Sequence, residues 1–216
     1  SYAAYQNVIC EASRNPANMY YVIVPEQFTM QTQKTLVEMH PQKGILNIDV
    51  LSFERLAYRI FEEVGGDTRK VLEETGKNMV LQKLVQMNRK NLVYLKNQMK
   101  KPGYLDEVKS LISEFMQYEV HEEEMDKMIN DAEGKPLLQM KLKDVSVLYQ
   151  AFREYLSDHF MTSEEVLEVL AKEIPFSQKL RGSTVILDGY TGFTPVQHTV
   201  IRELLAVCKK VSVTVT

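Results

Sequence analysis

The sequence predicts an α/β fold, a mainly parallel sheet flanked by helices and interrupted by a large all-helical insertion. Two observations predict it. Both ends of the 216-residue chain alternate helical apolar spacing with short β-rich apolar runs, which is the pattern of βαβ units. From about Val71 to Arg181 the apolar patterns all have helical period, and no convincing strand appears. The expected organisation is a first part of the core over residues 1–70, a helical insertion over 71–181 and a second part of the core over 182–216.

Residues 2–14, "YAAYQNVICEASR", have helical spacing that stops at Asn15-Pro16. "MYYVIVPE" is a continuous apolar run ended by Pro25, as expected of a strand buried on both faces. Thr29 is placed to cap a helix that runs to about His40. "ILNIDVLSF" alternates as a second strand, Ser52 caps "FERLAYRIFEEVG", and Gly65-Gly66 closes it. Downstream come the strand "TVILDGY", a helix from Thr194 through Cys208 and a last strand, "VSVTVT". Between the two halves, "VLEETGKNMVLQKLVQMNRK", "GYLDEVKSLISEFMQYEV", "EEEMDKMIND", "LQMKLKDVSVLYQAFREYLSDHF" and "SEEVLEVLAKEI" read as helices. Pro102-Gly103, Gly134-Lys135-Pro136 and Pro175 punctuate them.

Composition narrows the function classes. With 44% hydrophobic and 25% charged residues and a formal net charge of −3, the chain matches an ordinary soluble protein with a sizeable core. No apolar run approaches the roughly 20 residues of a membrane span. No charged-then-apolar leader is recognisable, so a cytoplasmic location is expected. Cys10 and Cys208 match no metal spacing and are expected as buried thiols, and the four histidines are isolated, so no metal site is expected. Six methionines, Met79, Met87, Met116, Met125, Met128 and Met140, mostly keep helical spacing and are expected to fill core.

The chain opens on a helix, whereas a βαβ domain normally starts with a strand and, in phosphate-binding versions, a Gly-rich turn. No G-x-x-x-x-G-K-[ST] occurs in these residues. The expectation is that such a loop precedes Ser1 in the native chain.

Three segments fall in the order used by superfamily 1 helicases of the UvrD type. "VLSFERLAYRI" resembles the pattern T-F-H-x-L-A-x-R-I, with Ser52, Phe53, Leu56, Ala57, Arg59 and Ile60 in register. "VIVPEQFTMQTQ" occupies the place of the strand-to-helix segment that touches single-stranded DNA. "VILDGYTGFTPVQ" is similar to V-D-E-x-Q-D-T-N-x-x-Q through Leu187, Asp188, the aromatic Tyr190 and Gln197. Gly189 replaces its Glu, and Gly192 its Asp. Together "VPEQFT", "VLSFERLAYRI" and "LDGYTGFTP" resemble the AddB (RexB) family, the second subunit of the AddAB helicase–deoxyribonuclease, over essentially the whole chain.

The resemblance implies a P-loop-helicase-like core, incomplete at its N-terminus and carrying the helical insertion. It also implies a bacterial complex that processes double-strand DNA ends for recombination repair. The implied partners are an AddA-type subunit and DNA. ATP with magnesium and an iron–sulfur cluster are cofactors of the parent family, and the cluster lies outside this chain, since two cysteines cannot supply four ligands. Gly189 has no side chain with which to orient an attacking water, so the segment is expected not to hydrolyse ATP, with Asp188 a degenerate nucleotide or magnesium position. Gln27, Thr29, Ser52 and Arg55, after the carboxyl ends of strands, are the DNA-contact candidates. Glu54 replaces the helicase histidine and would repel phosphate. That Asp188 and Gly189 form only a strand-end turn, and Thr29 and Ser52 only helix caps, also stays open.

The insertion is polarised. Lys77, Lys83, Arg89, Lys90, Lys96, Lys100, Lys101 and Lys109 face only Asp106 and Glu107 in their stretch, whereas Glu114–Glu133 holds eight acidic residues against Lys127. A DNA path would favour the basic stretch, with Lys96, Lys100 and Lys101 on phosphates and Tyr94 and Tyr104 stacking on bases. A solvated charged face is the plainer alternative. Two other functions stay open: an active nucleotide hydrolase completed by upstream residues, with a Glu or Asp reaching Asp188, and a pure protein-interaction module. The module is favoured if the basic stretch is buried against the acidic one.

Overall fold

Along the chain the elements are α1 (Tyr2–Arg14), β1 (Tyr20–Ile23), α2 (Thr29–Met39), β2 (Ile48–Leu51), α3 (Phe53–Val64), β3 (Lys70–Val71), α4 (Glu74–Met87) and α5 (Leu95–Gln98). There follow α6 (Tyr104–Gln117), α7 (Glu122–Asp131), α8 (Pro136–Ser157), β4 (Phe160–Met161), α9 (Ser163–Glu173), β5 (Thr184–Leu187), α10 (Pro195–Val207) and β6 (Lys210–Val213). This computed structural model describes residues 1–65, 69–99, 101, 103–157 and 160–214. The chain divides into two compact units, Ser1–Asp67 with Val166–Thr216, and Thr68–Glu165.

The first unit is built on a four-stranded parallel sheet in the order β2-β1-β5-β6. All four strands expected from the sequence thus share one sheet. β5 enters beside β1, with Tyr20 opposite Thr184 and Ile23 opposite Leu187. The two central strands are buried at every position, as a parallel strand covered on both faces requires. Tyr20, Val22 and Val24 point to one face, where Tyr5, Val8, Ile9 and Ala12 of α1 and Leu36 of α2 close the core. Tyr21 and Ile23 point to the other face and are also buried.

Helix boundaries follow local chemistry. The Ser52 side chain caps α3 by accepting from the Arg55 N–H, and Gly65 ends that helix in the left-handed region at φ 78°. Thr194 caps α10 in a reciprocal box with Gln197. Thr29 does not act as the expected cap. It sits inside α2, because a short 3₁₀ turn over Glu26–Phe28 comes first, and its buried hydroxyl donates to the Glu26 carbonyl.

The second unit packs α4, α6, α7 and α8 around Leu81, Leu84, Ile112, Leu148, Phe152 and Leu156. Its helices match the sequence reading to within a few residues, but two details depart from it. Lys70–Val71 pairs in parallel with Phe160–Met161, a two-residue ladder too short to show a period. The short α5 is organised by buried Asp144 of α8, whose carboxylate accepts the N–H groups of Val93, Tyr94 and Leu95 at 2.7–3.1 Å.

Two composition-based expectations need correction. Met116 and Met125 are buried, but Met79, Met87 and Met140 lie on helix faces turned to solvent. Cys10 is exposed rather than buried, lying on the outer side of α1, and Cys208 is half-buried.

Candidate nucleotide and DNA-contact edge

Ile23, Leu51 and Leu187 are in register across β1, β2 and β5. The segments that follow them, Pro25–Thr29, Ser52–Arg55 and Asp188–Tyr190, therefore emerge together at the carboxyl edge of the sheet, where parallel sheets hold ligands.

Asp188 is only 3% exposed. One carboxylate oxygen accepts the hydroxyls of Ser1, at 2.8 Å, and Thr214, and the other accepts the Tyr5 hydroxyl. Burial alone would raise this carboxyl, but the hydrogen bonds from Thr214, Tyr5 and Ser1 outweigh it and hold Asp188 below the usual carboxylate range. The same contact acts on the donor. Burial, then the bond to Asp188, pushes the Tyr5 phenol up to about 12.

Gly189 follows with φ 80°, a conformation that strains any side chain, and a Cβ there would lie 3.6 Å from Pro25 and 3.9 Å from Phe28. A glutamate in this place would therefore strain the backbone, although neither approach is closer than ordinary contact. Gln197 is engaged in the α10 cap. Tyr190 stacks between Phe53, at 5.5 Å, and Phe193, at 5.1 Å, and His198 meets Phe193 edge-on. Burial, then the charge of Glu26, raises the Tyr190 phenol above its ordinary range. Hydroxyls and aromatic rings occupy the edge where a magnesium nucleotide would need open carboxylate oxygens, so the residues present do not fit that group. Among the described residues no cluster of three or more His, Cys, Asp or Glu side chains is placed to hold a metal ion. No helix among them is long and apolar enough to cross a membrane.

The DNA-contact candidates divide by accessibility. Gln27 and Arg55 are exposed, whereas Thr29 and Ser52 are buried. The Arg55 guanidinium meets the Glu26 carboxylate at 2.8 Å, a partner the sequence reading missed. The Ser52 hydroxyl, followed by Arg55, holds Glu26 low against the opposing effect of burial. Arg59, the arginine of the helicase-like pattern, pairs with Asp49 at 3.0 Å.

In the second unit, Lys96 and Lys101 are exposed and Lys100 lies outside the described residues. Lys77 is not part of a solvated face. It is 3% exposed and pairs with Glu164 at 3.3 Å and Glu74 at 3.1 Å, and Lys109 joins Glu74 at 3.0 Å. These partners lie outside the acidic stretch 114–133, so the basic run is not buried against it at these two positions. Lys141 of α8 sits 5.0 Å over the Tyr94 ring, on a face that a base would need, and Tyr104 packs against the helical core. Lys141 lies too far away in sequence for periodicity to have linked it to Tyr94.

The family model described as "ADDB, N-terminal" matches residues 1–216. The chain belongs to the AddB N-terminal family. Its relatives carry names that make each of them a subunit of an "ATP-dependent helicase/deoxyribonuclease". They include the protein of Lachnoclostridium phytofermentans, 49% identical over 216 residues, and that of Alkaliphilus metalliredigens, 33% identical over 216 residues. A third, from Alkaliphilus oremlandii, is 37% identical over 196 residues, or 91% of the chain and 17% of the relative. The chain is covered completely in the first two cases and spans 19% of those relatives' length. The three AddB-like segments quoted from the sequence begin at the carboxyl edge just described.

Proposed function

We propose that this AddB segment is the N-terminal, helicase-like part of a subunit of a bacterial ATP-dependent helicase–deoxyribonuclease that processes double-strand DNA ends for recombination repair. It works in the cytoplasm with an AddA-type partner subunit. Its core is of the UvrD type, and the helical unit is an insertion between its strands. The segment serves as scaffold and DNA-path surface and does not itself hydrolyse ATP. ATP and magnesium act in the partner's motor, and the iron–sulfur cluster belongs to residues outside this chain.

One observation supports the silent role above the others: the engaged Asp188 carboxylate followed by Gly189 at positive φ. In-line attack on a γ-phosphate needs a positioned water and a metal clamp, and neither residue is arranged to supply them.

The DNA-path role is tested by neutralising Lys96, Lys100 and Lys101 together in the assembled complex and titrating single-stranded DNA across salt. Three phosphate contacts would lower the log–log slope by roughly 2, since each contributes about 0.7 for single strands. Coincident slopes in mutant and parent would remove these lysines from the path. They would leave the basic stretch as a solvated charged face, from which Lys77 is already withdrawn by its pairs with Glu74 and Glu164.

A further inference from the structure

The helical unit contains a cleft of about 620 Å³ that none of the AddB-like motifs reaches. Its size falls within the range of small-ligand sites. Arg153 of α8 lies on its wall with the guanidinium 5.7 Å over the Tyr149 ring, and it pairs with no carboxylate among the described residues. Tyr149 cannot swing away, because its hydroxyl donates to the Val120 carbonyl at 3.1 Å and its ring meets Phe115 edge-on. Arg69 also lines the cleft, anchored by the Phe160 carbonyl at 3.3 Å.

The lining is not uniformly basic. Glu122 accepts the Gln150 amide at 3.3 Å, and Glu165 accepts the Thr162 N–H at 2.9 Å. Two carboxylates would weaken the attraction for a bare anion. They suit a ligand that carries hydrogen-bond donors as well as an anionic group. Arginine supplies the planar fork that phosphate prefers, and the glutamates supply acceptors for base or sugar N–H and O–H groups.

We propose that this cleft binds a nucleotide unit, with its phosphate on Arg153 and its base or sugar N–H and O–H groups on Glu122 and Glu165. The choice of a nucleotide rests on the DNA-path reading of the chain. The unit is supplied either by a single strand of DNA or by a free nucleotide.

Calorimetric titration of the 216-residue chain with a 5′-phosphorylated thymidine dinucleotide, and separately with an oligothymidylate, tests the proposal. Binding of either probe that falls about tenfold or more in Arg153→Gln, in a variant that unfolds at the parent temperature, is the expected result. Ser146→Glu places a third carboxylate on the cleft wall and is expected to weaken binding similarly. Response to the oligothymidylate alone assigns the site to a strand, and equal response to both probes assigns it to a free nucleotide. No binding of either probe, or binding that both variants leave unchanged, would overturn the cleft site. The lysine-dependent salt slope of the assembled complex is measured separately, so the two readings fail independently.

Discussion

The hydroxyl of Tyr5 donates to the carboxylate of Asp188, tying the first turns of α1 to the end of β5 across 183 residues of sequence. Thr214, just beyond β6, donates to the same carboxylate. The acidic residue that a nucleotide hydrolase would turn toward magnesium here joins three parts of the sheet unit.

Removing either hydroxyl should therefore cost stability. Tyr5→Phe or Thr214→Val deletes a bond to a buried charged group, worth about 1.5–3 kcal/mol, and denaturant unfolding measures it. A shift in the midpoint with an unchanged slope is expected.

The sheet unit should lose stability at both pH extremes. Asp188 and Glu63 both titrate low in the folded chain. For Glu63, burial is outweighed by the Ser177 hydroxyl and the N–H groups of Lys179 and Gln178. A depressed carboxyl contributes fully above its unfolded pKa of about 4 and loses that contribution as pH falls through the folded value. Tyr5 has the opposite sign. Its neutral phenol contributes fully below pH of about 10, and the contribution erodes as pH rises toward about 12. Thermal unfolding across pH should show both losses, and Tyr5→Phe should abolish the alkaline one that this phenol causes.

Restoring the missing acid should not restore chemistry. Gly189→Glu puts a side chain at φ 80° against Pro25 and Phe28, at a cost of roughly 1–2 kcal/mol for the left-handed backbone alone. Lower stability with no gain in ATP turnover is expected, read by unfolding and by phosphate release. A folded, ATP-hydrolysing variant would show that one side chain was all the site lacked.

In the helical unit, Asp144→Ala should release the segment that carries Lys96. It strands three backbone N–H groups at once, of which that of Leu95 is buried, and a buried unsatisfied donor costs about 1–3 kcal/mol. Hydrogen exchange at Val93, Tyr94 and Leu95 should rise far more than exchange in α6.

The sheet was legible in the sequence because its signals are local. "MYYVIVPE" and "TVILDGY" are runs that only a doubly covered strand would bury, and the pairing of β1 with β5 follows from placing both in one layer. The cap at Ser52 was legible for the same reason, since a cap is decided within four residues. Thr29 misled because a 3₁₀ turn and a cap leave the same residue types at a helix start. The Tyr5 partner of Asp188, the Glu164 partner of Lys77 and the Lys141 partner of Tyr94 were not legible. Each lies dozens of residues away or more, and only the packed fold decides which hydroxyl, carboxylate or ammonium arrives there.

The most direct test of the silent role is ATP turnover by the full-length subunit purified without its partner subunit, in the presence of single-stranded DNA. Parent and Asp188→Asn proteins should both release phosphate at the rate of a no-protein blank. Turnover in the parent that Asp188→Asn abolishes, in a variant shown to remain folded, would contradict the account.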